Sequence, residues 1–322
     1  QYGIYIYDKS YMIIEGLHVT NVSGWARIVK SDHITFRKNT FTVALARGTT
    51  GSVKFQHSDY NRFINNTIED GNDNLWVAHS DYNIFERNHI TKGRHNLWVI
   101  TASSFNVIRN NYFHNASQKI GTICDNELAK HPPVIYNATK HNLVENNTFA
   151  YTPPPPVADL TAGPYNGIQF AGQECIIRRN VFHDNEGGGI DLTLYPDESM
   201  YNTDNRVYNN VFYNNHYGGV AISSNRTYTF YGNILKNNII YQNDFIDYER
   251  RLPELDGRPV QVVTYRTSSD YLFDGNNIFN STPGEDYIIS TGSLSDWQRD
   301  HPDIFTLNNI EKEPMFVLID TG

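Results

Sequence analysis

A short motif, x-Asn-Asn-x-Phe/Ile, returns along almost the whole chain, and that periodicity restricts the fold more than any other feature. It reads KNTF at Asn39, NNTI at Asn66, RNHI at Asn88, NNYF at Asn111, NNTF at Asn147, RNVF at Asn180, NNVF at Asn210, NNII at Asn238 and NNIF at Asn277. Gly16 in EGLHV shares the register, and NNI at Asn309 makes a final copy. The tightest spacings are 22 and 23 residues. A unit that short cannot bury its own apolar face, so neighbours must stack. Each holds brief alternating segments between polar turns, with no stretch of helical period. Asparagine tolerates the left-handed backbone of a sharp turn, and its amide can bond to the same amide one rung away. The expected product is an all-β solenoid with a column of stacked Asn side chains.

Composition agrees with many turns and few helices: 13% of the 322 residues are aromatic, 22 of them Tyr, and only 39% are hydrophobic. The formal charge of −9 is unevenly spread. Residues 1–140 hold 15 Lys and Arg against 11 Asp and Glu, or +4, while residues 141–322 hold 11 against 24, or −13. A polyanion should prefer the first part, and the overall acidity argues against a nucleic-acid partner. No run reaches the roughly 18 apolar residues of a membrane helix, so no membrane partner is expected. The chain opens directly in strand-like GIYIY, which predicts that a presequence and an N-terminal cap precede it. Cys124 and Cys175 are too few for a disulfide scaffold and read as buried thiols.

The repeat, carried by KNTF, NNTI, RNHI, NNYF and their later copies, resembles the right-handed parallel β-helices of the pectate-lyase-like superfamily over nearly all of the chain. The resemblance implies one parallel β-helix domain over residues 1–322, of roughly 10 or 11 coils. Loop insertions are expected near 112–133, 148–167 and 239–259. It also implies a secreted, extracellular or periplasmic carbohydrate-active protein, monomeric, with a polysaccharide partner. That superfamily spans lyases, hydrolases and non-catalytic spikes, so the chemistry rests on particular residues.

About 13 residues before each Asn turn lies a strand: ARIVK (26–30), VKFQH (53–57), LWVAH (75–79), LWVIT (97–101), VIYNA (134–138), IQFAG (168–172), IDLTL (190–194), VAISS (220–224) and VQVVT (260–264). If the first residue of each faces the core, the second faces solvent. The outward column is then Arg27, Lys54, Trp76, Trp98, Ile135, Gln169, Asp191, Ala221 and Gln261. Trp76 and Trp98, from two copies of NLWV, would form a strip on which sugar rings stack. Tyr165 lies just before the strand of Gln169. Asp73, Arg94 and His95 occupy the turns leading into the two NLWV segments, and Lys119 sits in the first insertion.

β-Elimination on a uronic-acid polymer needs a cation against the carboxylate, a base for the C5 proton and an acid for the departing oxygen. Arg94, His95, Lys119 and Asp191 are the catalytic candidates, with Lys54, Asp73, Trp76, Trp98, Tyr165 and Gln169 binding an acidic polysaccharide. A hydrolase would instead need two carboxylic acids roughly 5–10 Å apart. Asp73 and Asp191, four rungs or about 19 Å apart, do not form that pair, whereas Glu186 with Asp191, or Asp125 with Glu127, could. A non-catalytic glycan-binding module is the third reading. No motif demands a cofactor, and carboxylates in the trough admit Ca²⁺. The paired aspartates and Gly-His-Gly of polygalacturonases are missing, as is the Arg-x-Pro-x-x-Arg of the main pectate lyases. Alginate-lyase-type β-helices are the nearest analogue, by residue type alone.

Overall fold

A computed structural model of the chain describes residues 2–46, 51–124, 139–154, 165–192, 201–222, 229–246, 256–264, 270–280, 289 and 292–314. Among these, the strands form three parallel sheets of ten strands each, in which every interior strand pairs with its equivalents one coil earlier and one coil later, and a small parallel sheet of Tyr201–Thr203 with Thr229–Tyr231. The first sheet runs Tyr2–Tyr7, Gly24–Val29, Val53–Gln56, Leu75–Ala78, Trp98–Thr101, Gly121–Cys124, Ile168–Phe170, Ile190–Leu192, Val220–Ile222 and Val262–Thr264.

The Asn column is the second-to-third-sheet corner. The backbone N–H of Asn39 donates to Oδ1 of Asn66, and the same bond continues through Asn88, Asn111, Asn147, Asn180, Asn210, Asn238, Asn276 and Asn309 at 2.9–3.0 Å. All ten are buried. The copy expected at Asn277 is set by Asn276 instead, because Gly275 (φ 64°) takes the left-handed position that Asn237 (φ 53°) and Asn209 (φ 56°) fill in earlier coils. A second column joins the first two sheets through Asn61, Asn83, Asn106 and Asn142, then passes through the buried thiol of Cys175, whose sulfur accepts from the backbone N–H of Asn142 at 3.4 Å. The side chain of Cys124 lies outside the described residues.

Inside, inward residues of the three sheets stack as rings. Trp98, Phe113, Phe149, Phe182 and Phe212 follow one another at centroid separations of 4.9–5.6 Å. At the C-terminal end a short helix, Leu294–Asp300, is capped by Ser293 and lays Leu294 and Trp297 on the core, with Trp297 5.4 Å from Phe305.

Three expected placements are corrected. The rung between Trp98–Thr101 and Ile168–Phe170 is Gly121–Cys124, paired at Trp98↔Gly121 and Gly121↔Ile168. VIYNA (134–138), with Ile135, lies outside the described residues. Trp98 does not face solvent: it pairs with Leu75, not Trp76, and is 1% exposed. The cause is one extra residue. Five residues separate Asn74 from Ser80 and six separate Asn96 from Ser103, although the two serines occupy equivalent turn positions. The excess forms a β-bulge in which the N–H groups of Leu97 and Trp98 both bond to the carbonyl of Ile120, at 3.0 and 3.1 Å. Beyond a one-residue slip every side chain changes face. The indole enters the core over Gly121, where any Cβ would collide with it. A similar shift at the far end buries Gln261, which caps an Asn column by bonding to Asn243, and turns Val263 outward instead.

Candidate functional site

The outer face of the first sheet changes character along the axis. Arg27, Lys54 and Trp76 are in register on consecutive rungs, each partly exposed. The ammonium of Lys54 stands 4.2 Å from the centre of the Trp76 ring, a cation–π contact. Arg27 lies over Tyr2 at 5.8 Å and donates to Gln56 at 3.1 Å. His57 and His79, at the ends of two of these strands, stack at 4.9 Å. Burial, with the charges of His57 and Lys54 adding, holds His79 below the usual imidazole range.

Next to the Trp76 rung is a carboxylate–imidazole pair. Asp73 and His95 occupy equivalent positions in adjacent coils, each directly before its NLWV segment, and His95 Nδ1 lies 2.8 Å from Asp73 Oδ1. The backbone N–H and the side-chain amide of Asn96 donate to the same oxygen, at 3.1 and 3.0 Å. Burial pushes the Asp73 carboxyl up, but hydrogen bonds from His95 and Asn96 overcome it and leave the group below the ordinary carboxylate range. The imidazole remains about half exposed (48%), and its Nε2 makes no hydrogen bond among the described residues. A buried carboxylate thus fixes one nitrogen and leaves the other for a ligand, the arrangement of a general base.

A polar path continues from the pair over the next three coils. The Thr122 hydroxyl is 3.5 Å from Asn96 Oδ1. Thr122 is in register with Gln169, and Gln169 with Asp191. Asn166 donates to Asp191 Oδ2 at 3.2 Å, and Asp191 is only 5% exposed. Lys119, half buried, lies in the turn of the coil after His95. Beyond Asp191 the outer face is apolar and closed: Ala221 and Val263 cluster with Tyr217, Phe245 and Val260.

The expected residues therefore divide. Lys54, Trp76, Gln169 and Asp191 lie on the outer face, and Asp73 and His95 join at its edge. Arg94 is committed elsewhere: its guanidinium binds Asp70 Oδ1 at 3.1–3.2 Å and the Ala44 carbonyl at 2.9 Å. Tyr165, 4% exposed, presents almost no surface to a ligand, and Trp98 belongs to the core. Thr122 and Asn96 are not among the sequence candidates; the rung of Thr122 opens with Gly, and only the duplicated Asn of NLWV marks Asn96. Asp125 and Glu127 lie outside the described residues. Among the described residues no group of three or more His, Cys, Asp or Glu is placed to hold a metal ion.

In structure, the chain is similar to the A-module of the mannuronan C-5 epimerase AlgE6 of Azotobacter vinelandii, with a TM-score of 0.63 at 11% identity over 97% of this chain and 76% of that one. It is also similar to the catalytic domain of a GH87 α-1,3-glucanase, at 0.56 and 15% over 86% and 51%, and to an alginate lyase from Paenibacillus sp. str. FPU-7, at 0.51 and 12% over 89% and 97%. Identities this low establish a shared fold. No curated protein matches the chain by sequence. A sequence profile described as right handed beta helix region matches residues 1–149 and 121–278. With most of its length inside that match and three parallel sheets stacked coil on coil, the chain belongs to the right-handed β-helix family.

Proposed function

We propose that the chain is a carbohydrate-active enzyme, secreted to meet its substrate, that cleaves a uronic-acid-containing polysaccharide by β-elimination over the first half of the first sheet. The observation that carries this reading is the His95–Asp73 pair at 2.8 Å beside the Lys54–Trp76 contact at 4.2 Å. Trp76 offers an apolar ring for a sugar face, while Lys54 and Arg27 supply positive charge for carboxylates. His95 Nε2 takes the proton from C5, and Asp73 stabilises the imidazolium that forms. The C5–H electrons become the C4–C5 double bond, the C4–O4 bond breaks, and Lys119, one coil on, protonates the departing oxygen. Support of a coarser kind comes from fold neighbours named for action on mannuronan and alginate.

The test is incubation of the protein in D₂O with polymannuronate, polyguluronate, polygalacturonate and neutral glucans, with and without Ca²⁺. An unsaturated uronate end, seen by ultraviolet absorbance and lost in folded His95→Ala, is the expected result. Deuterium at C5 without chain cleavage would convert the reading to epimerisation by the same base. Reducing ends without unsaturation would replace it with hydrolysis, and binding without turnover would make the protein a glycan-binding module.

A further inference from the structure

We propose that His89 and His114, on the outer face of the third sheet, form a binding site for a divalent transition-metal ion of the zinc, nickel or copper class. The two residues stand on neighbouring strands, His89–Thr91 and Tyr112–His114, paired at His89↔Tyr112 and Thr91↔His114. Both side chains therefore leave the same face on a diagonal between adjacent rungs.

Their Nε2 atoms are 2.7 Å apart, with ring centres 4.9 Å apart and planes within 10°. The nitrogen gap and two ring radii account for the whole centre-to-centre distance. The rings accordingly lie edge to edge in nearly one plane, and their nitrogens meet head on. Two neutral imidazoles can share only one proton in that gap. A metal ion would satisfy both lone pairs at once.

The adjustment is small. With metal–nitrogen bonds of about 2.0–2.1 Å, tetrahedral ligands stand roughly 3.3 Å apart, so the nitrogens need to separate by about 0.6 Å and turn outward. His89 is exposed and His114 half-buried, which leaves room for both movements. The Tyr112 ring, 4.2 Å from that of His114, supports one side. Asn115 Nδ2 lies 2.9 Å from His114 Nδ1 and donates to it as placed; ligation through Nε2 requires this amide to turn so that its oxygen accepts Nδ1–H. Glu69 is held by Lys92 at 2.6 Å. The site thus has two protein ligands, completed by water, and two imidazoles select borderline metals over Ca²⁺ or Mg²⁺.

The experiment uses the full chain without an affinity tag, stripped with chelator and titrated with ZnCl₂ and NiCl₂ by calorimetry. One ion per chain is expected, with the binding abolished in both His89→Gln and His114→Gln and unchanged in His57→Gln. Zinc should shift the Nε2 resonances of two histidines together in long-range ¹H–¹⁵N spectra, and CaCl₂ should give no heat. Circular dichroism checks that the variants are folded. Absence of binding, or binding that survives both substitutions, overturns the proposal.

Discussion

The tetrapeptide NLWV occurs in two adjacent coils, and its tryptophan ends on opposite sides of one wall. Trp76 lies on the outer face under Lys54, whereas Trp98 is 1% exposed within a column of stacked phenylalanines. Local sequence does not separate them, because the four residues are identical. The difference lies downstream, in the sixth residue between Asn96 and Ser103 where the first copy has five before Ser80, which forces the Leu97–Trp98 bulge. In a solenoid, side-chain direction is set by coil length measured between fixed turn positions, and a short motif carries no direction of its own.

The sharpest break between the copies is in stability. Trp98→Ala should cost about 3–5 kcal/mol, since it empties a core position that Gly121 keeps clear for an indole and no neighbour is shaped to refill. Trp76→Ala should cost about 1 kcal/mol or less, as a partly exposed position. Chemical denaturation of the two variants side by side decides the matter; equal losses would mean that Trp76 is also structural.

Deleting Val99 should convert the second copy into the first. The remaining segment, NLWITAS, aligns with NLWVAHS residue for residue, so Leu97 would replace Trp98 in the core and the indole would turn outward. A cavity beside Gly121 then destabilises the protein by about 2–4 kcal/mol. Tryptophan emission should shift to the red and acrylamide quenching should rise in the deletion variant compared with the parent. An unchanged spectrum would show that the bulge does not set the direction of Trp98.

These same residues mark what the sequence could reveal. The Asn column was legible from Asn39 to Asn309 because one residue type meets two demands at each turn, backbone conformation and amide bonding to the next rung. The outward placement of Lys54, Trp76, Gln169 and Asp191 followed from strand alternation. Trp98 was not read correctly because alternation was counted from the start of the strand, while the information lay at its end. VIYNA, rich in β-branched and aromatic residues, reads as the strand of that rung, yet pairing with both neighbours places Gly121–Cys124 in the sheet. The Asp73–His95 pair was visible only as two candidates at matching positions; that they bond to each other is a property of the stacking.

On the ligand side the two copies should separate again, with a smaller effect. Trp76→Ala should weaken binding of an acidic oligosaccharide by about 1–3 kcal/mol, the cost of losing an aromatic anchor. Calorimetry with a uronate oligomer measures it. Unaltered affinity would remove Trp76 from the site and leave Lys54 and Arg27 as the only binding contacts proposed on those three rungs.

The smallest effect concerns how the two copies are tied together. Asp73 leads into the first NLWV and His95 into the second, so their 2.8 Å contact couples adjacent coils at the edge of the proposed site. Because the folded protein holds the Asp73 carboxyl below its ordinary value of 3.8, ionised Asp73 contributes stability above that value, and the contribution is lost as pH falls through the lower folded value. Asp73→Asn lacks that charge at every pH. Its deficit should be about 1 kcal/mol at neutral pH, from weaker hydrogen bonds to His95 and Asn96, and should shrink as acid protonates the parent. Melting temperatures of both proteins between neutral and strongly acidic pH report the gap. A deficit independent of pH would mean that the carboxylate charge does not hold the coils together, and that Asp73 contributes only hydrogen-bonding shape.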